Sequence, residues 1–121
     1  MSNRALLKAA GYGSIVFALK HASTARQFQN LRGFQDLPNI AYTCSTVGWY
    51  QGSAYLVLTG LLNLNWAQNP GTLNEPLNRA MAALLVLIAW SSSTWYLRRG
   101  QKASGILTAA AGMLQAWVAF H

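Results

Sequence analysis

Acidic side chains are nearly missing from this chain, with two Asp+Glu against nine Lys+Arg in 121 residues. Charged residues make up 9% of it, where a soluble globular domain carries about 25%. That deficit excludes an ordinary water-facing surface all round. A single cysteine excludes a disulfide framework, and one Cys with two His excludes a closed zinc site. Internal repeats and low-complexity tracts are absent as well. Apolar side chains are what the chain has: 53% hydrophobic and 12% aromatic is far too much buryable surface for a disordered polymer. The length allows one domain, residues 1–121. Mean hydropathy is +0.20, modest for a membrane protein, so the distribution of charge matters more than its average.

Between Asp36 and Glu75 lie 38 consecutive uncharged residues, between Arg79 and Arg98 another 18, and from Ala103 to Phe120 a further 18. A helix of about 20 apolar residues crosses the hydrocarbon layer of a bilayer. The three gaps predict membrane spans over about 40–66, 77–97 and 103–120. Buried core helices of a soluble protein would need more polar residues to cover them than the chain holds. Near the N-terminus Ala9–Leu19 is apolar but closely flanked by Lys8 and Lys20. Snorkelling lysine stems extend that run to a first span over about 6–23. A secretory signal peptide is the competing reading, disfavoured by Lys20 and His21 where small uncharged residues should precede cleavage. The expected fold is all-α, a polytopic antiparallel four-helix transmembrane bundle.

Cations then set orientation. Lys20, Arg26, Arg32, Arg98, Arg99 and Lys102 fall on one side of such a bundle, and Arg4, Lys8 and Arg79 on the other. The positive-inside rule puts the 20–39 segment and the Gly100 turn in the cytoplasm. The expected location is a multi-pass membrane protein, in an endomembrane such as the endoplasmic reticulum if the source is eukaryotic. The basic excess thus reads as a topology signal and contact with lipid headgroups, not as a nucleic-acid surface.

Turn chemistry fits the same picture. Asn69-Pro70-Gly71 separates the second and third spans, Asn74 is placed to cap the third, and Arg98-Arg99-Gly100 to close it. Trp66, Trp95, Tyr96 and Trp117 fall near span ends, as interfacial aromatic belts do. Helices in lipid associate through small residues and hydrogen bonds. Candidate faces are Cys44, Gly48, Gln51, Gly52, Tyr55, Thr59 and Asn63 in the second span, and Ser104, Thr108, Gly112 and Gln115 in the fourth. The first offers Gly11, Ser14, Ala18 and Ala22, while Leu84, Leu87 and Ile88 of the third turn outward.

The second to fourth spans hold no Asp, Glu, Lys, Arg or internal His. That removes a carboxylate dyad, a charged transport path and a bis-histidine haem or metal site from the lipid layer. No cofactor or metal is expected. Chemistry is left to a cytoplasmic-side group: His21, Asp36, Tyr50 and Gln51, with Tyr42, Cys44 and Ser91–Trp95 nearby. An imidazole exchanges protons near neutrality. Asp36 is placed to orient His21, and Tyr50 and Gln51 to hydrogen-bond a substrate carbonyl or enolate. The competing reading makes His21 an interfacial residue bound to headgroups or a backbone carbonyl, and Cys44 a packing residue.

Gly48-Trp49-Tyr50-Gln51-Gly52 and Leu19-Lys20-His21-Ala22, with four short spans in about 120 residues, resemble the small DoxX-like integral membrane proteins, including fungal ones. The resemblance covers the architecture of the whole chain and transfers no catalytic residue. It implies a membrane location, with a role either beside pathways of lipophilic metabolites or as an assembly subunit. Two functions are expected in consequence. One is a small membrane enzyme or accessory protein for a polyketide- or terpenoid-like metabolite, an isomerase, cyclase or oxygenase. The other is a non-catalytic scaffold that meets a second copy or a membrane partner through Gly48 and Gly52.

Overall fold

The computed structural model describes residues 3–121, and among these it is helical with no strand. The elements are α1 (Asn3–Ser23), α2 (Ala25–Gln29), α3 (Arg32–Gln35), α4 (Asn39–Gln68), a 3₁₀ turn (Pro70–Asn74), α5 (Pro76–Arg98) and α6 (Lys102–Phe120). Each expected span lies within a helix, and two of these helices, α5 and α6, are long and apolar enough to cross a membrane. α4 has 30 residues, about 45 Å at 1.5 Å per residue.

Helix ends follow local chemistry. α1 stops where the Ser23 and Thr24 hydroxyls donate to the Lys20 and His21 carbonyls, at 2.8 and 2.9 Å. Such bonds satisfy carbonyls that lose their helical partner at a C-terminus. Asn69 and Glu75 each precede a proline and take non-helical backbone (φ −142°, ψ 86°; φ −74°, ψ 139°), so both Pro70 and Pro76 open a new helical segment. The cap of α5 is therefore Glu75 and not Asn74, which ends the 3₁₀ turn; Asn78 Nδ2 reaches back to Glu75 Oε2 at 2.9 Å. After Arg98 the chain reverses through Gly100, whose φ of +78° needs a residue without a Cβ. Gln101 N–H closes this turn on the Tyr96 carbonyl at 2.8 Å.

The chain divides into two compact units, one formed by the segment up to Ala10 with Asn63–His121, the other by Gly11–Leu62. In the first, α5 and α6 form an antiparallel hairpin with small residues at the seam. A Cβ on Gly105 would fall 2.6 Å from Leu97, and one on Gly112 would fall 2.5 Å from the Trp90 ring. Ser93 Oγ donates to the Gly105 carbonyl at 2.6 Å, inside the seam. Gly112 and Gln115 are buried as expected, but the register runs through Gly105 and not through its exposed neighbour Ser104. Leu84, Leu87 and Ile88 do face outward.

The last turns of α4 belong to the same unit. Asn63 and Gln115, both buried, pair their amides reciprocally: Asn63 Nδ2 donates to Gln115 Oε1 at 2.7 Å, and Gln115 Nε2 to Asn63 Oδ1 at 3.2 Å. Trp66 is fully buried and donates from Nε1 to Asn78 Oδ1 at 2.8 Å, so it is a core residue and not part of an interfacial belt. Trp95 and Trp117, 69% and 54% exposed, keep the outward position expected of them. Asn3 Nδ2 reaches the His121 carbonyl at 3.5 Å, Arg4 the Gln68 carbonyl at 3.4 Å, and Arg79 lies 5.1 Å over the Phe120 ring. The start of α1, the end of α4, the start of α5 and the end of α6 thus meet at one end of the unit.

In the second unit α1 and α4 cross closely at Gly60, where a Cβ would collide with Ile15 and the Gly11 carbonyl. Ala18 is buried on the same face of α1. The α4 stripe packs only in part: Thr59 is buried and Gly52 half-buried, whereas Cys44, Gly48 and Gln51 are exposed.

The amide pair yields a test. Asn63→Leu or Gln115→Leu alone breaks the reciprocal pair and should cost about 1–2 kcal/mol. The double substitution should recover part of that loss, as read from thermal unfolding in detergent. Additive single losses would show that the two amides do not depend on each other.

Candidate functional site

The expected chemical residues fall within Gly11–Leu62, so their geometry is that of one unit. His21 sits two residues before the end of α1 and lays its ring flat on Trp49 of α4, with centroids 4.0 Å apart and planes 11° from parallel. Gly52, one helical turn beyond Gly48, leaves room for it: a Cβ there would lie 3.2 Å from His21 Cε1. His21 Nδ1 and Ser53 Oγ share a hydrogen bond of 2.7 Å. The His21 carbonyl accepts from Trp49 Nε1 at 2.8 Å and from Thr24 Oγ1 at 2.9 Å. Ring face, Nδ1 and backbone oxygen are thus all held, which fixes the imidazole's orientation.

Beyond Trp49 the aromatic contacts continue through residues with no marked spacing in the sequence. Phe28 meets Trp49 edge-on at 4.6 Å, Phe34 meets Phe28 at 5.2 Å, and Tyr42 meets Phe34 at 5.1 Å. The short helices α2 and α3 supply Phe28 and Phe34, so the segment between α1 and α4 is tied to α4 by edge-on and tilted ring contacts. Edge-to-face pairs of this kind add about 0.5–1.5 kcal/mol each beyond the area they bury.

The other expected residues are placed differently. Asp36 is exposed and lies 4.0 Å from Arg32 Nε, one turn earlier. Ser53, not Asp36, makes the hydrogen bond that orients His21 at Nδ1. Gln51 and Cys44 are exposed on α4. Tyr50 is half-exposed and lines an open groove of about 510 Å³ together with Leu19, Ala22, Ser23 and Arg26. Ser93 and Thr94 use their hydroxyls inside the other unit, on the Gly105 and Trp90 carbonyls. Among the described residues no three His, Cys, Asp or Glu side chains gather into a set that could hold a metal ion.

The site so defined is an imidazole oriented by a serine and a tryptophan, next in sequence to an amphipathic groove carrying a phenol and a guanidinium. It belongs to an all-helical protein with two helices long and apolar enough to cross a membrane. No protein-family model, curated protein or solved structure matches the chain.

Because the indole N–H of Trp49 donates to the end of α1, Trp49→Phe keeps a stacking ring and loses the bond. We expect a loss of about 1 kcal/mol in thermal unfolding, against no measurable change for Trp95→Phe at an exposed position. Equal shifts in both variants would remove the assigned role of that bond.

Proposed function

We propose that this is a small multi-pass membrane protein of four spans that acts on a lipophilic metabolite from its cytoplasmic side. The observation that carries the membrane reading is the inverted distribution of side chains in α5 and α6. Leu77, Leu84, Leu87, Ile106, Leu107, Met113 and Leu114 are exposed, while Ala82, Ala89, Ser93, Gly105, Gly112 and Gln115 are buried beside Leu85, Val86 and Val118. Only 28% of the most apolar stretch of each helix is buried, whereas a core helix of a soluble protein is mostly buried. Apolar surface of this extent exposed to water opposes solubility, and in lipid it meets its own kind. The 20–39 segment and the Gly100 turn, with their six cations, then face the cytoplasm, in an endomembrane if the cell is eukaryotic. The DoxX-like arrangement of four spans is part of the same proposal.

In this reading His21 is the proton-transfer group, with Nδ1 held by Ser53, and Tyr50 and Gln51 are hydrogen-bond donors to a substrate oxygen. An isomerisation or cyclisation needs one group that moves a proton and another that binds the substrate oxygen. The test compares extracted lipophilic metabolites from cells carrying the wild type, His21→Ala, Tyr50→Phe, or no protein. Tyr50→Phe is the cleaner variant, because the phenol faces an open groove while the His21 ring is part of the packing. A product that disappears in Tyr50→Phe with normal membrane accumulation supports the reading; unchanged product in both variants sinks it.

One observation favours a second reading, a scaffold that binds another membrane helix. Gly48 is exposed and a Cβ there meets nothing within 4 Å, so this part of α4 has room for close approach by a partner. Gly48→Leu should leave the protein folded and abolish co-purification with such a partner in mild detergent. A wild type that is monomeric and partner-free under gentle extraction counts against the scaffold.

A further inference from the structure

We propose that the groove lined by Leu19, Ala22, Ser23, Arg26 and Tyr50 binds an anionic phospholipid, with its phosphate on Arg26 and its first acyl segment along Leu19 and Ala22. The assignment rests on the membrane reading above and gives the groove a ligand class. The groove has two kinds of wall. Leu19 is 69% exposed and Ala22 lies one helical turn further along α1, so together they offer an apolar track that ends at the polar Ser23. Beyond that point stands Arg26, exposed and without an ion pair among the described residues. Arg32, the next cation, is by contrast paired with Asp36. The Ser23 hydroxyl proton is engaged by the Lys20 carbonyl at 2.8 Å, which leaves the Arg26 guanidinium and the Tyr50 hydroxyl as the donors facing the groove.

A planar guanidinium fork and a phenol O–H lining one groove match the phosphate oxygens of a phospholipid, which accept hydrogen bonds. The groove's position, where the last turn of α1 meets the cationic segment, is where a headgroup sits if α1 enters the bilayer. The charge of Arg26 favours an anionic over a zwitterionic lipid.

The test reconstitutes the full chain in phosphatidylcholine vesicles and compares the association of chain-labelled phosphatidic acid with that of chain-labelled phosphatidylcholine by electron spin resonance. We expect a preference for phosphatidic acid of about fivefold, the scale of one cation near a membrane surface. Arg26→Gln should reduce it to near unity, Tyr50→Phe to about half, and Arg32→Gln should leave it intact. Equal preference in wild type and Arg26→Gln overturns the proposal. So does an equal loss in Arg32→Gln, which would mean a diffuse basic surface. Inorganic phosphate at constant ionic strength should not compete; full displacement by it would make the site one for free phosphate and overturn the lipid assignment. A chain released from membranes by alkaline carbonate fails the membrane reading itself, whereas one that stays but shows no lipid preference fails only this assignment.

Discussion

Polar groups in this chain have almost no charged partners, so helices must satisfy them against one another, and this constraint organises both units. Asn63 and Gln115 pair amide to amide, Ser93 bonds the Gly105 carbonyl, and Trp66 bonds Asn78. Each of these bonds needs two backbones close together, and that closeness is set by residues without bulk. Gly105 and Gly112 admit Leu97 and Trp90, and Gly60 admits Ile15. At Gly105 the missing Cβ lets α5 and α6 approach until the Ser93 hydroxyl reaches the Gly105 carbonyl. Association through small residues and interhelical hydrogen bonds is what remains when burial of apolar surface supplies no net drive.

The same constraint explains the state of His21. An isolated imidazole at the end of a helix would be free to meet headgroups or solvent. Here it is held on three sides by the Trp49 face, the Ser53 hydroxyl and the backbone space at Gly52. Its fixed orientation serves packing and is also what a proton-transfer group requires, since a ring that rotates does not present one nitrogen reliably to a substrate. The groove beside Tyr50 and Arg26 has the opposite character: open, half apolar, and lined by side chains with unused bonding capacity. Neighbours on α4 thus have different surroundings, with Trp49 and Ser53 in contact with His21 and Tyr50 lining the groove.

Much of the fold was legible in the order of residues. Runs without charge marked every long helix, Asn69-Pro70-Gly71 and Arg98-Arg99-Gly100 marked the turns, and the small-residue stripe of α6 was found to within one position. The differences have a common cause. Ser104 and Gly105 both fit a helical repeat, and only the facing Leu97 decides which one lies in the seam. Trp66 looked interfacial because it stands near a helix end, yet Asn78 and the packing of the unit bury it. Asp36 and His21 were joined on chemical grounds; the nearer hydroxyl was Ser53, 32 residues away in sequence.

What the sequence by itself determined is where this chain is helical and where its charges lie: 38 uncharged residues in a row and two acids in all follow from composition and spacing, through the length of a helix and its need for turns. What only the tertiary structure decided is which side of each helix is used. Helical periodicity is satisfied by several adjacent residues at once, and the choice among them depends on the side chain that comes opposite. That is why Ser53 and not Asp36 meets the Nδ1 of His21, why Phe28 and Phe34 join the rings to which no spacing pointed, and why Tyr50 faces the groove with Arg26.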